Sequence, residues 1–274
     1  MKRGDRRGVA LIFVLWLLVL LGVIVAEVVS QARTEAEILS SIRSRAVARY
    51  SAESGILVAA TRIETMLDST PSPPGRITAF GDSIKRLASL NDVPFGNGRF
   101  GVAVVDLNAR VDLNLADAAT LQGLFQQFTT DGRAERVVSL LKQTPLHRLG
   151  ELIHIPGVDD SLAAAVAPYV TVWSDGLVNI NSASERVLAS VPGLSTAMAR
   201  NIVQRREGGE VFLSTSELFG RAAARPLRLA VMPSRLLIIG RGWQDGHPLT
   251  HEIQAVYAIA GTRLILVAWQ ERDL

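Results

Sequence analysis

The side chains able to do chemistry in this chain are few and scattered. There are four histidines, His147, His154, His247 and His251, and no cysteine. The missing thiols exclude disulfides, thiolate metal sites and cysteine nucleophiles. His247 and His251 lie four apart, a spacing at which a helix can offer two imidazoles to one metal. Pro248 stands between them, so no helix displays both. His154 precedes Ile155-Pro156 and is expected to be half-buried and structural. A Gly-x-Ser-x-Gly elbow, a phosphate-binding Walker loop and a dinucleotide-binding glycine pattern are all absent. The acid pair Asp159-Asp160 suits the start of a helix, where carboxylates meet the positive end of the dipole. No catalytic residue, resident metal or cofactor is assigned, and no enzyme is expected.

What dominates the chain instead is an element. Val9 to Ala26, VALIFVLWLLVLLGVIVA, is uncharged throughout. As a helix it spans roughly 27 Å at about 1.5 Å per residue, close to the ~30 Å hydrocarbon core of a bilayer. Before it stands MKRGDRRG, with Lys2, Arg3, Arg6 and Arg7 against Asp5. Basic residues stay on the cytoplasmic side, so the long C-terminal part is expected across the membrane. Three readings compete for this terminus. A secretory signal peptide would be cut at the nearest small-x-small site, Ser30-Gln31-Ala32, but the apolar run exceeds the usual length. A plain single-span anchor is the second. The third rests on the junction itself, where a basic leader ends in Gly8 and the apolar run begins at Val9.

Charge points away from a polyanionic partner. The chain holds 29 Lys plus Arg and 26 Asp plus Glu; the first eight residues carry four and one of these, leaving 25 against 25. Beyond its leader the chain is neutral, and nucleic acid is not indicated by bulk charge.

From Glu27 the helix is expected to continue to Leu67, where no Pro and only Gly55 interrupt it. Ile38, Ile42, Val47, Tyr50, Ile56, Leu57, Ala60 and Ile63 recur at helical spacing, with charges between them. One face should therefore dock on a soluble domain. The whole helix would run about 55–60 residues, roughly 85 Å. Asp68 to Gly75, DSTPSPPG, ends it by proline and glycine chemistry, and a short helical piece is expected at Ile84–Leu90. Arg99–Asp106 alternates as a strand, Asn108-Ala109-Arg110 reads as a turn, and Val111–Asn114 as a short extended piece.

Residues 115–225 read as short helices, near Ala116–Thr129, Ala134–Lys142, Leu146–Ile153, Ser161–Tyr169, Ser184–Ser190, Thr196–Arg206 and Ser214–Gly220. Asn114, Asp117, Asn181, Ser182 and Ser184 are candidate helix caps. Glu151-Leu-Ile-His-Ile-Pro-Gly-Val158 echoes Arg186-Val-Leu-Ala-Ser-Val-Pro-Gly-Leu194, a helix, a Pro-Gly hairpin and a helix used twice. After Pro226 strands return at Ser234–Arg241, His251–Ala260 and Thr262–Glu271, the last two joined tightly at Gly261-Thr262.

These features together resemble the K-type minor pseudopilins of type II secretion (the general secretion pathway protein K family). The Gly8/Val9 junction resembles a class III leader, the Asn179-Ile-Asn-Ser-Ala-Ser184 run resembles the family's inserted helical domain, and Val267-Ala-Trp-Gln-Glu-Arg272 resembles its C-terminal end. The position where most pilins carry Glu is Phe13, a departure this subtype shares. The resemblance implies an α+β fold: a pilin-like long N-terminal helix on an antiparallel sheet, with an inserted all-α domain of helix-hairpin-helix-like units. It implies a leader at 1–8, a transmembrane helix at 9–26, spine helix and first strands at 27–111, the insertion at 112–226 and closing strands at 227–274. It also implies cutting between Gly8 and Val9 by a prepilin peptidase, methylation of Val9, and packing of Phe13, Leu17 and Leu20 against partner helices. The implied setting is the inner membrane, crossed once, with the N-terminus cytoplasmic and the bulk periplasmic. The implied partners are I- and J-type minor pseudopilins, the major pseudopilin and the inner-membrane secretion platform, at the tip of the pseudopilus. Relatives bind calcium in the first half of the insertion. The matching stretch here, Gln126–Leu149, holds only Asp131 and Glu135 as acids, few for a cation that takes six to eight oxygens.

Two alternatives stay open. Val178–Gly220 is similar to membrane-anchored competence DNA receptors, whose Gly-h-Gly hairpins hold a phosphate on backbone N–H groups. Here the hairpins read Pro156-Gly-Val-Asp159 and Pro192-Gly-Leu-Ser195, each without the second glycine, and Asp159 would repel a phosphate. A tip subunit of a type IV pilus would share the anchor and the sheet.

Overall fold

A computed structural model describes residues 6–216 and 228–274, with side chains from residue 11 onward. Helix α1 (Arg6–Ser69) is one uninterrupted rod. Its N-terminal part is long and apolar enough to cross a membrane, with mean hydropathy 2.9 over its best window and none of that window buried. Among the described residues of the expected leader, Arg6 onward already belongs to this helix; Met1–Asp5 lie outside the described residues.

The helix docks from Ser44 onward, by a face that includes Ile56 and Ile63 of the expected apolar residues but not Ile38, Ile42, Tyr50 or Leu57. Buried against the sheet are Ser44, Ala48, Ser51, Ala52, Ile56, Ala59 and Ile63, while Ile38, Ile42, Tyr50 and Leu57 are exposed. The reason lies across the interface. Strand glycines Gly240 and Gly242 present bare backbone to the helix, which approaches closely at Ala48, Ala52 and Ile56. The stretch Asp68–Gly75 breaks α1 but does not form a loop throughout. Pro73 and Pro74 open a second helix, α2 (Pro73–Ala88), where their missing N–H groups are harmless, and Ser72 Oγ accepts from Gly75 N. The short piece expected at Ile84–Leu90 is the tail of α2, which buries Ile77, Phe80 and Leu87.

A five-stranded antiparallel sheet follows, in the order β1-β2-β7-β8-β9. Its strands are β1 (Val93–Phe95), β2 (Gly98–Asp106), β7 (Arg235–Gln244), β8 (Thr250–Ala260) and β9 (Arg263–Asp273). β1 was not foreseen because Val93-Pro-Phe95 is too short to show alternation. β8 and β9 turn at Gly261, which takes φ 65°. One sheet face and α1 enclose a core that includes Ile56, Ile63, Phe100, Val102, Ile238 and Ile253.

β2 and β7 pair along their whole length, Asp106 opposite Leu236, yet Leu107 to Ser234 lies between them in sequence. This insertion contains β3 (Val111–Asp112), α3 (Ala118–Phe125), α4 (Asp131–Gln143), α5 (Asp160–Val166), β4 (Val170–Thr171), β5 (Val178–Asn179), α6 (Glu185–Ser190), α7 (Thr196–Glu207) and β6 (Leu229–Ala230). It has its own core, including Leu121, Phe125, Val137, Val166, Leu188 and Phe212. Leu149–His154 is a 3-10 helix rather than an α-helix, and the helix expected at Ser214–Gly220 falls mostly on residues outside the described ones. His154 is exposed, not half-buried.

Inside the insertion the repeat includes the Pro-Gly echo of the sequence, with Gly157 and Gly193 in matching turns, and extends N-terminal to it. Val111-Asp-Leu-Asn114 and Val178-Asn-Ile-Asn181 are its matching starts. β3 pairs in parallel with β4, and β5 in parallel with β6. Asn114 exchanges both side-chain bonds with the backbone of Leu146, and Asn181 does the same with Phe212. These asparagines are clamps, not helix caps. The caps are Asp117 on Thr120 N and Ser184 on Val187 N.

Candidate functional site

Two regions can act on something outside the chain: the free face of α1 and the outer surface of the insertion. Phe13, Leu17 and Leu20 project from one side of α1, at i, i+4 and i+7, and are 75%, 64% and 58% exposed. The Gly8–Val9 bond lies within the helical backbone of α1. The apolar surface continues past the membrane-length part along Leu39, Ile42, Tyr50 and Leu57, all more than 60% exposed on the side away from the sheet. A docked helix with a second, unfilled apolar stripe has a place for another helix.

Where α1 leaves the sheet, charged groups set its direction. Arg49 makes a two-pronged contact to Glu271, at 2.9 and 3.0 Å, and Arg45 reaches Asp273 at 3.5 Å. His251, nearly buried, lies 2.6 Å from Asp273 and 3.2 Å from Glu271, and Trp269 Nε1 donates to Glu271 at 2.7 Å. The Arg49 and Trp269 bonds hold the Glu271 carboxyl at about 2, below its ordinary 4.5. A depressed carboxyl stabilises the fold above its unfolded value and loses that contribution as it is protonated. The melting temperature of the full chain in detergent should therefore drop as pH falls from about 4.5 towards 2. Arg49→Gln should make that drop shallower, which a series of melts across this range would detect.

At the other end of the sheet the insertion is tied on by a buried polar network. Asn108, fully buried, donates to Asp175 Oδ1 and to the Leu177 carbonyl and accepts from Ser234 N and Arg235 N. It thereby joins the first residues of the insertion to its last. Asp106 accepts from Asn179 Nδ2, Ser182 Oγ and Asn108 N, and burial still pushes its carboxyl above the ordinary range. Beside them Leu107, Leu237 and Val256 form a small apolar cluster with Trp173. Which groups these residues bond is not legible in the sequence, because their partners lie on the far side of the insertion.

The hairpins are poor phosphate cradles. Gly157 and Gly193 take φ 94° and 93°, and Asp159 and Ser195 cap the helices that follow. Arg133 donates to the Gly157 carbonyl and pairs with Asp159 at 2.6 Å, so the first hairpin presents an acid already matched from within. Three basic residues of the second unit, Arg200, Arg205 and Arg206, are likewise engaged. Arg200 pairs with Glu185, Arg205 with Glu210 over the Phe212 ring, and Arg206 donates to the Ile180 carbonyl. A DNA backbone needs a row of free cations, and these are not free. Asp131 and Glu135, the only acids of Gln126–Leu149, are both exposed on α4. Among the described residues no group of three or more His, Asp and Glu is arranged to hold a metal.

Residues 174–219 match a family model described as a helix-hairpin-helix motif. No curated protein matches the chain in sequence. Among solved structures, a chain of the GspK-GspI-GspJ complex from the enterotoxigenic Escherichia coli type 2 secretion system superposes with a TM-score of 0.60. The identity is 12%, over 88% of this chain and 99% of that one. The α+β architecture expected from the sequence, a long helix on an antiparallel sheet with a helical insertion, is thus the fold of a chain in that secretion-system complex.

Proposed function

We propose that this protein is a K-type minor pseudopilin of a type II secretion system, working as an assembly subunit rather than as an enzyme. The observation that carries the reading is the division of α1. Its first part is bare and membrane-length, its second part is docked on a sheet, and an apolar stripe runs along both. The fold shared with the secretion-system chain supports it.

In this reading the chain is made as a prepilin and held in the inner membrane with its N-terminus cytoplasmic and its bulk periplasmic. A prepilin peptidase cuts between Gly8 and Val9, and Val9 is then methylated. Phe13 takes the place of a charge in the helix bundle, where an unpaired carboxylate would be costly to bury, and packs with Leu17 and Leu20 against partner helices. The partners are I- and J-type minor pseudopilins, with the major pseudopilin below and the secretion platform at the membrane. Sterics support placement at the tip. The insertion leaves the sheet at Asp106 and returns at Ser234, the end opposite to that where α1 departs near Arg45 and Arg49. Bulk there obstructs a subunit stacked above it and leaves the membrane side clear.

The test is intact mass of the full chain expressed with and without a prepilin peptidase. Loss of residues 1–8 only with the peptidase, and its abolition by Gly8→Val, is the expected result. An uncut chain would favour a plain anchor, and a cut near Ala32 would mean a secreted protein; either would overturn the reading.

A further inference from the structure

A cleft on the insertion, about 770 Å³, opens between the end of α3, the face of α6 and the first residue of α7. Arg186 stands in it. Its guanidinium carbon lies 5.1 Å from the Phe128 ring centre and 5.9 Å from that of Tyr169, and the two rings are themselves 5.4 Å apart. Stacking of this kind fixes a guanidinium in place without using its N–H donors. Arg186 makes no ion pair and no side-chain hydrogen bond among the described residues; only its backbone carbonyl is used, by Gln127 Nε2 at 3.0 Å. The neighbouring acid, Glu185, is matched by Arg200. Arg186 is therefore the one uncompensated charge among the described residues that line the cleft.

The cleft is built rather than incidental. Gly123 lets α3 approach α6 so closely that a Cβ there would lie 2.9 Å from the Ser190 carbonyl oxygen. That contact sets the cleft floor, and Gln126 and Thr196 stand on its walls.

We propose that this cleft docks an acidic side chain, Asp or Glu, carried on an exposed segment of a partner protein. A planar guanidinium with its fork free takes a carboxylate in two parallel hydrogen bonds. Single charge decides the class of partner. A nucleic acid is held by many cations in a row, whereas one oriented arginine flanked by a neutralised pair matches one carboxylate.

The test is an NMR titration of the 15N-labelled full chain in detergent micelles with the capped peptide Gly-Ser-Glu-Ser-Gly and its Gln counterpart. The expected result is saturable amide shifts at Gln126, Ser184–Arg186 and Thr196 with the Glu peptide alone. Arg186→Gln should weaken that binding at least tenfold with an otherwise unchanged spectrum. Arg186→Lys, which keeps the charge but not the fork, should lose most of it, and Arg136→Gln on exposed α4 none. Equal shifts with the Gln peptide, no shifts with the Glu peptide, or binding kept in Arg186→Gln would overturn the proposal. So would a DNA duplex that produces the same shifts at lower concentration.

Discussion

Gly242→Ala should unfasten α1 from the sheet. A Cβ at this position would run into the Ala48 carbonyl oxygen and the Ala52 amide nitrogen, and both are backbone atoms inside a continuous helix. Neither can swing aside as a side-chain tip would. One turn along, a Cβ on Gly240 would meet the Ala52 carbonyl and lie 2.9 Å from the Ile56 side chain. Relief requires the helix to lift, which opens the core formed by Ala52, Ile56, Phe100 and Ile238. Overpacking of this kind costs about 3 kcal/mol, and more where backbone must move. Chemical denaturation of the full chain in detergent should show that loss for either variant. Gly81→Ala, within α2 and with open space around the added carbon, should lose nothing. If Gly242→Ala melts with the parent, the close helix–sheet contact described here is wrong.

Asn108→Ala should detach the insertion while leaving its own core intact. The amide meets Asp175 Oδ1 at 2.7 Å, the Leu177 carbonyl at 3.0 Å, Ser234 N at 3.0 Å and Arg235 N at 3.1 Å. Truncation leaves these half-buried groups without their partner. Each unsatisfied group costs about 1–3 kcal/mol, so a loss of roughly 3 kcal/mol or more is expected. The more telling readout is cooperativity. The insertion core and the sheet core are separate apolar clusters, linked by this network and the small cluster around Leu107 and Leu237. Hydrogen exchange in Asn108→Ala should show accelerated exchange at 106–111 and 231–237, with α4 and α7 still protected. Uniform loss of protection would mean that the two cores are not independent.

Where periodicity and composition speak directly, the sequence was sufficient. The apolar run Val9–Ala26, the unbroken helix after it, the strands around Ala103, Ile238, Val256 and Val267, and the tight connection at Gly261 are all local properties, set by side-chain pattern and backbone freedom over a few residues. The same holds for the Asp117 and Ser184 caps, since a cap and its N–H groups lie within one turn. Tertiary structure decided what depends on a distant partner. How closely α1 docks depends on Gly240 and Gly242, nearly two hundred positions away, against which Ala48 and Ala52 pack while Tyr50 faces away. Asn114 and Asn181 look like caps until Leu146 and Phe212 arrive beside them. Arg186 is one arginine among many in the sequence, and only the fold sets it over Phe128 and Tyr169 with its donors free. Hydrogen-bond and packing partners far apart in the chain leave no periodic trace, because nothing in the local pattern of one segment encodes the shape of the surface it will meet.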